Sequence, residues 1–418
     1  MNRFSHAWRA LRHRNFRLYL TGQGISLMGS WMTRLALSWL TYRLTHSALL
    51  LGLVGFAGQI LTFVLAPFAG VWIDRIDRRK LLIVTQVASA LQSGALAWLT
   101  LAGIITMPEI FALAALQGVF DAFDMPARQS FTIKMVGEKA DLPNAIALNS
   151  SAVNVARLVG PPTAAFVIAR LNEGYCFLID ALSYLAVILS LYLIRVAPDA
   201  ISSRHRPTML AQMADGWAYV STFLPIRNVL LLFAVSSFFG MSYMPLTPLF
   251  ATDVLHGGPH TLGLLSGAAG VGALASALLL AARKSSAGLI DAIQTASLLF
   301  GVGLIALGAS HVLALSLAAM LVVGFGMMQG LAGSNTLIQT LAPEEKRGRI
   351  MSFYTMAFVG TMPFGSLFGG ALAHYLGVQA TVILSGSCLL VGSFIFSLQR
   401  AKVEASVQAR LAEPATSR

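Results

Sequence analysis

The sequence predicts an all-α membrane protein of twelve transmembrane helices in two six-helix bundles. Of its 418 residues, 56% are hydrophobic and only 11% are charged, and apolar stretches of about 20 residues recur along the chain. So apolar a chain needs lipid around much of its surface, where only helices or a closed barrel satisfy the backbone. The stretches lack the period-two alternation of membrane strands, so we predict helices.

The twelve spans follow one another in order, with one long polar connection in the middle. They are predicted at 16–41, 48–72, 79–103, 108–125, 143–169, 175–194, 228–250, 261–282, 287–309, 311–331, 349–373 and 378–398. The chain therefore divides into a first bundle (1–194), a connection (195–227), a second bundle (228–398) and a tail (399–418). Residues 209–220 of the connection are expected to form an amphipathic helix on the membrane surface.

The start of the chain and its charges indicate how it is oriented. No cleavable signal is expected, because the N-terminus is Arg-rich and the first apolar run is long enough to span. Of the 29 Lys and Arg residues, 25 lie on the side that holds both termini and the connection, whereas only Arg43 and Arg170 lie on the other. The positive-inside rule places both termini in the cytoplasm. The net charge of +12 meets anionic lipid and requires no nucleic-acid partner.

A dense charged segment lies between the second and third spans. It reads Gly70-Val-Trp-Ile-Asp74-Arg75-Ile-Asp77-Arg78-Arg79-Lys80. Its G-x-x-x-D-R-x-x-R-R order resembles the loop between helices 2 and 3 of the major facilitator superfamily of transporters. Weak echoes between the two halves, such as residues 51–55 and 262–267, agree with the parallel six-helix repeats of that superfamily.

The resemblance implies that this loop is a conformational latch. In the superfamily the acid at the position of Asp74 faces the N-terminus of helix 11, which begins here near Arg349; such a position favours a carboxylate. Arg78 or Arg79 would reach an acid at the end of helix 4. Alternatively, these charges only orient helices 2 and 3. The residues assigned to the latch are Gly70, Asp74, Arg75, Arg78, Arg79, Asp121 and Asp124.

The sequence departs from the superfamily at Asp77, where glycine is common. The resemblance therefore implies a turn without the freedom of a positive φ angle and an additional negative charge within the latch.

Two further regions resemble exporters of this superfamily. Gly160, Pro161 and Pro162 in span 5 look like a loosened antiporter motif, in which proline bends the helix near helix 8. Residues 123–129, 142–149 and 348–352 resemble the bacterial branch that includes enterobactin and macrolide exporters. This implies proton-coupled efflux of a bulky amphipathic molecule, a drug or a siderophore, by alternating access across the bacterial inner membrane. An importer or a lipid-handling carrier of the same fold is the alternative.

Three charged residues fall inside predicted spans. At 1.5 Å per residue, Arg34 lies about 10 Å from the outer surface, Asp180 about 8 Å and Arg157 about 18 Å. We therefore predict that Arg34 and Asp180 pair or share a polar network, since a buried charge needs a partner or water. Asp180 is either a structural partner or a proton-coupling carboxylate. Arg157 either meets an anionic substrate or is satisfied by Asn154, Asn149 or Gln59.

The remaining site candidates are polar and aromatic residues in spans that line the cavity of the superfamily. They are Gln23, Trp31, Gln59, Gln117, Asn149, Asn154, Tyr243, Gln329, Asn335 and Tyr354. No HExxH, GxSxG or P-loop motif occurs, so neither an enzyme nor ATP-driven transport is predicted. We expect no cofactor and no metal, a proton gradient as energy source, and a monomer whose partners are its small-molecule substrate and membrane lipid.

Overall fold

A computed structural model describes residues 8–73, 76–136, 141–196, 209–283 and 288–412, and every regular element in these ranges is a helix. Eleven helices in the described ranges are long and apolar enough to cross a membrane. The prediction of an all-helical membrane protein is therefore confirmed. The described residues fall into two compact units, which draw on residues 1–46, 57–203 and 257–263, and on residues 47–56, 204–256 and 264–418.

The first unit is built from six helices in chain order. These are α1 (Arg14–Thr45), α2 (Ala48–Ile73, whose first residues belong to the other unit), α3 (Arg78–Leu101), α4 (Met107–Met135), α5 (Leu142–Arg170) and α6 (Glu173–Leu193). Helix α1 packs along α6 and α5, and α3 packs along α6 and α4. Large side chains such as Phe16, Phe131 and Leu191 form a buried core at one end of the unit.

The predicted first span differs from the others in its polarity. Helix α1 has 32 residues, about 48 Å at 1.5 Å per residue, which is ample to cross a bilayer. It is not among the eleven apolar helices. Polar residues such as Gln23, Ser26, Ser30 and Thr33 lower its hydropathy, and two of these face α6, as described below.

The second unit contains the connection helix and the remaining long helices. These are α7 (Met209–Thr222), α8 (Leu224–Val235), α9 (Pro259–Ala281, whose first residues belong to the first unit), α10 (Leu289–Ala309), α11 (Leu313–Leu341), α12 (Arg347–Thr355), α13 (Met362–Leu376) and α14 (Val378–Ala412). Helix α10 packs along α11 and α14. A buried cluster that includes Ile226, Val229, Ile338 and Val403 holds their ends together.

Predicted spans 7 and 11 contain wide helical turns that the periodicity does not reveal. Helix α8 continues into a π-helical segment, Ser236–Gly240, and a second one follows at Phe250–Val254. A third, Met356–Gly360, joins α12 to α13. The Ser237 hydroxyl donates to the Phe358 carbonyl at 2.8 Å, so two of these segments touch. Such π segments are rare and often mark functional sites.

The connection helix α7 docks on α12. Asp215 pairs with Arg349 and, at 3.4 Å, with the Lys346 ammonium. The Trp217 and Phe353 ring centroids lie 5.9 Å apart, whereas Val220 is buried in the core of the unit. The predicted helix therefore exists, and it packs against protein through part of its surface.

We expect Gly216→Val to detach α7 from α12. A Cβ at Gly216 would lie only 2.9 Å from the Phe353 ring, so the added side chain must displace that ring, at a cost of about 1–3 kcal/mol. The melting temperature should fall, and protease should cleave the connection faster. Gly348→Val is the matched control, because no atom lies within 4 Å of a Cβ there. Equal behaviour of the two variants would contradict the docking.

Candidate functional site

Arg79 of the predicted latch contacts the backbone at the end of α6. Asp74 and Arg75 lie outside the described residues. Arg79 donates to the carbonyls of Leu191 and Tyr192 at 2.8 and 2.9 Å. Of the two arginines expected to reach Asp121 or Asp124, Arg79 is therefore engaged at the end of α6, and the contact stays a prediction for Arg78. The last carbonyls of α6 lack partners within their own helix, and a guanidinium satisfies two of them.

Asp77 is the N-cap residue of α3, and it does not strain the turn that precedes this helix. Its carboxylate accepts from the Lys80 amide at 3.1 Å, and its φ angle of −60° requires no glycine. Nearby, burial lowers the pKa of Lys134; the Arg78 guanidinium adds to this effect and Asp77 opposes it. Asp77 thus caps the start of α3, and Arg79 caps the end of α6.

Asp124 is the centre of a buried polar cluster between α3 and α4. Only 4% of its surface is exposed. It accepts from Thr85 at 3.0 Å and Gln86 at 2.8 Å, and it forms an ion pair with Arg128 one turn along α4. Arg128 is not among the residues predicted for the latch. The signal for it was the spacing of four residues, which places opposite charges side by side on a helix.

Asp121 lies one turn before Asp124 on α4 and has a different environment. Its carboxylate accepts from the Gln117 amide at 3.0 Å, and the same amide lies 3.4 Å from the Ser89 hydroxyl. The structure therefore joins two separately predicted residues, Gln117 and Asp121, in one network.

Asp180 is enclosed by neutral hydroxyl groups. It is 1% exposed, and it accepts from Ser93 at 2.8 Å and from Thr33 at 2.9 Å, with Ser30 at 3.5 Å. Gly29 allows this approach, since a Cβ there would lie 2.7 Å from the carboxylate. Within the described part of the chain no ion pair joins Asp180 to Arg34, so a direct pair of these two residues is wrong, whereas a shared polar network stays a prediction.

Arg34 instead shares an aromatic ring with Arg157. The guanidinium carbons of Arg34 and Arg157 lie 5.3 and 5.1 Å from the centroid of the Trp31 ring, within the range of cation–π attraction. Two positive groups and one large aromatic ring, all predicted as candidates, therefore meet between α1 and α5. Such a group can receive an anion or a flat acidic ring.

The Gly160-Pro161-Pro162 segment positions this group. A Cβ at Gly160 would lie 2.7 Å from the Trp31 Cβ, so only glycine lets α1 and α5 approach at this level. Gly263, the last residue of α9 that belongs to this unit, lies beside the same segment, since a Cβ there would lie 3.5 Å from the Pro161 carbonyl. Helix α5 runs through both prolines without interruption.

The other candidates of the first unit are scattered over its helices. Gln23 is 2% exposed and lies inside the unit. Asn154 donates to the carbonyl of Ser150, one turn back on α5, at 3.0 Å. Gln59 and Asn149 are half-buried.

Three of the four candidates of the second unit are buried in its interior. Gln329 accepts from Ser276 at 2.9 Å, and the Tyr354 hydroxyl donates to the Leu331 carbonyl at 2.9 Å. Tyr243 stands edge-on to Phe300, and half-buried Asn335 accepts from Gln339. Among the described residues, no group of three or more His, Cys, Asp or Glu side chains could hold a metal ion.

Comparison with known proteins places these features in context. The family model described as "Transmembrane secretion effector" matches residues 5–416. The staphyloferrin A transporter of Staphylococcus aureus is 24% identical over 93% of this chain and 97% of its own length. The multidrug efflux pump Tap of Mycolicibacterium fortuitum is 28% identical over 89% and 92%. The enterobactin exporter EntS of Shigella boydii is 24% identical over 92% and 91%.

Solved structures agree on the fold. A bacterial homologue of the iron transporter ferroportin covers 92% of this chain and 98% of its own, with a TM-score of 0.71 and 17% sequence identity. At this identity the likeness concerns the fold alone. It agrees with a transporter-like helical architecture.

Proposed function

The chain belongs to the transmembrane secretion effector family of the major facilitator superfamily, and from this premise we propose that it exports an amphipathic small molecule across the bacterial cytoplasmic membrane by alternating access. The observation that carries the proposal is the match along nearly the whole chain to proteins named as efflux pumps and exporters. We propose a drug or siderophore as substrate, in keeping with these relatives, and a proton gradient as the energy source.

The proposal includes twelve spanning helices in two six-helix bundles, with both termini in the cytoplasm. Eleven apolar helices and the 32-residue α1 supply the twelve. The polarity of α1 suits a helix whose hydroxyls face a buried acid rather than lipid. We further propose that the protein acts as a monomer without a bound cofactor.

We propose Asp180 as the proton-binding group. Its contacts are hydroxyls, which donate to a carboxylate and can accept from a protonated carboxyl group. The surroundings can therefore satisfy both protonation states without movement of a countercharge. Since Arg34 is not its partner, a purely structural ion pair does not account for this buried acid.

We propose that Arg34, Trp31 and Arg157 receive the acidic part of the substrate. Two guanidinium groups at one ring make this region positive, and a positive region attracts an anion. The ring adds an apolar face for the rest of an amphipathic molecule. A carboxylate or catecholate group satisfies both requirements.

Transport into everted membrane vesicles tests the function. Vesicles with a respiration-acidified lumen should accumulate the substrate, and a protonophore should abolish this accumulation. The probes are a carboxylate-bearing siderophore, a macrolide and ethidium, compared with vesicles that lack the protein. Uptake of a probe only into right-side-out vesicles would favour an importer. Gradient-independent transfer of fluorescent phospholipid would favour a lipid carrier. Either result would overturn the proposal.

The double variant Arg34→Gln/Arg157→Gln tests the assigned site. We expect siderophore accumulation to fall about tenfold or more, because each charge-assisted contact contributes roughly 1.5–3 kcal/mol. Accumulation of an uncharged probe should change little. Arg170→Gln is the matched control, since Arg170 also stacks on a ring, that of Phe166, at 5.5 Å. Equal losses for charged and uncharged probes would remove the site from the proposal.

A further inference from the structure

One face of α3 is polar although it is buried. Helix α3 packs along α4 and α6, and a stripe of polar residues on its packed face is at most 5% exposed at each position. The residues of this stripe are Thr85, Gln86, Ser89, Gln92 and Ser93. They recur every three or four positions, which places them on one side of the helix. Polar groups inside a membrane protein are costly, and they commonly mark the path of an ion or a proton.

The α3 stripe connects two acids of the neighbouring helices. At one end, Ser93 donates to Asp180 of α6 at 2.8 Å. One turn back, Ser89 accepts from the Gln117 amide of α4 at 3.4 Å, and the same amide donates to Asp121 at 3.0 Å. Ser89 and Ser93 are four residues apart, which is about 6 Å along the helix. The stripe therefore brings Asp180 and Asp121 into one short polar path.

Asp121 is the most accessible of the three acids beside this stripe. Asp180 and Asp124 are 1% and 4% exposed, whereas Asp121 is half-buried. Asp124 forms an ion pair with Arg128, whereas Asp121 forms none with any residue that the structure describes. The charged groups that act on Asp121 at longer range are Arg34 of α1, Asp124 and Arg128 of α4, and Asp180 of α6. Asp121 therefore combines access with the lack of a direct countercharge.

Gln117 can serve both forms of the Asp121 side chain. Its amide nitrogen donates to the ionised carboxylate. Its Oε1 atom accepts no hydrogen bond from any described residue, and the same is true of Gln86 Oε1 in the stripe. After rotation of the Gln117 amide, Oε1 can accept from a protonated Asp121. Since a buried acceptor without a donor is costly, protonation of Asp121 would satisfy a group that is otherwise unused.

We propose that Asp180 exchanges protons with water by way of Asp121, which is a second proton-carrying group. A proton leaves the Asp180 carboxyl group, passes along the hydroxyls of Ser93 and Ser89 and water between them, and is bound by the Asp121 carboxylate, which releases it to water. Each hydroxyl accepts one proton as it gives up its own, so neither is changed. The ion pair of Asp124 remains outside the exchange. This inference rests on the proposed role of Asp180.

Time-resolved infrared spectroscopy of the purified full-length protein in lipid nanodiscs tests this path. Photolysis of a caged proton lowers the pH, and the C=O bands of newly protonated carboxyl groups are followed. Asp180→Asn and Asp121→Asn each remove one band and so assign it. In Asp121→Asn, the Asp180 band should appear at least tenfold more slowly than in the wild type, whereas Asp253→Asn, at an exposed acid of the second unit, should leave its rate unchanged.

The outcomes separate this path from the proposed function. If Asp180→Asn removes no band, Asp180 binds no proton, and its coupling role and the path are both overturned. If the Asp180 band is present and its rate is the same in Asp121→Asn as in the wild type, the path alone is overturned.

Interrupting the stripe provides the second arm. Ser89→Ala retains both acids and removes the hydroxyl between them, so the Asp180 band should be delayed at least tenfold while the Asp121 band keeps its rate. Ser89→Thr restores a hydroxyl and should recover most of the rate. Ser151→Ala is the matched control, because that exposed hydroxyl of α5 donates only to the Ala147 carbonyl of its own helix, at 2.9 Å. Equal rates for Ser89→Ala and Ser151→Ala would contradict the path.

Discussion

Asp180→Asn is expected to abolish proton-driven accumulation in everted vesicles, a loss of at least tenfold, while exchange of substrate without a gradient continues. The amide keeps the size of the side chain and its contacts with Ser93 and Thr33, but it cannot bind and release a proton. Transport should then no longer depend on the pH difference. The measurement is accumulation against exchange, in the same vesicle preparation and over a range of lumen pH.

Two further variants separate coupling from structure. Asp180→Glu should restore part of the gradient-driven accumulation, because it retains an acid within the hydroxyl cluster. Asp253→Asn removes an exposed acid of the second unit and should leave accumulation unchanged. If Asp180→Asn still concentrates substrate in response to the gradient, Asp180 is structural and the coupling group lies elsewhere.

Asp124→Ala should be the most destabilising single change among the acids of the first unit. It leaves the Arg128 guanidinium without its carboxylate, and it removes the acceptor of Thr85 and Gln86. Loss of one partner of a buried pair costs about 3–5 kcal/mol. Because the Arg128 side chain is 26% exposed, we expect about 2–3 kcal/mol. A lower melting temperature of the purified variant in detergent would show this loss of stability.

The double variant Asp124→Asn/Arg128→Gln is the control for that prediction. It removes both charges and retains hydrogen-bonding groups, so it should be more stable than Asp124→Ala alone. If the single and double variants have the same melting temperature, the ion pair does not organise α3 and α4. The cluster would then be held by packing alone.

The sequence predicted the helices well because their apolar runs and end signals are local. Glu109, at the start of α4, closes a capping box with Thr106, and Asp77 caps α3. Such signals depend on residues three or four positions apart. They need no knowledge of which helices are neighbours.

The Arg34–Asp180 pairing failed because depth along a helix says nothing about the direction a side chain faces. Successive residues of a helix are rotated by about 100°. Thr33 and Ser30, three residues apart, share the face of α1 that meets Asp180. Arg34 and Trp31 share the next face, which meets α5. The rotation of about 100° per residue therefore places Arg34 on a different face of α1 from the residues that contact Asp180.

The partners of Arg79 and Asp215 could not be predicted from the sequence, for a different reason. Each contact joins residues more than 100 positions apart, and no local pattern specifies it.

The π segments Ser236–Gly240 and Met356–Gly360 have a consequence for divergence within the family. A π turn holds one residue more than an α turn, so the side chains after Gly240 and after Gly360 are rotated by about 100° from where an unbroken α-helix would direct them. Removing one residue from Ser236–Gly240 would therefore redirect Met241 and the residues that follow it in this helix without substituting any of them. A one-residue insertion or deletion can thus alter which molecules two otherwise similar relatives accept.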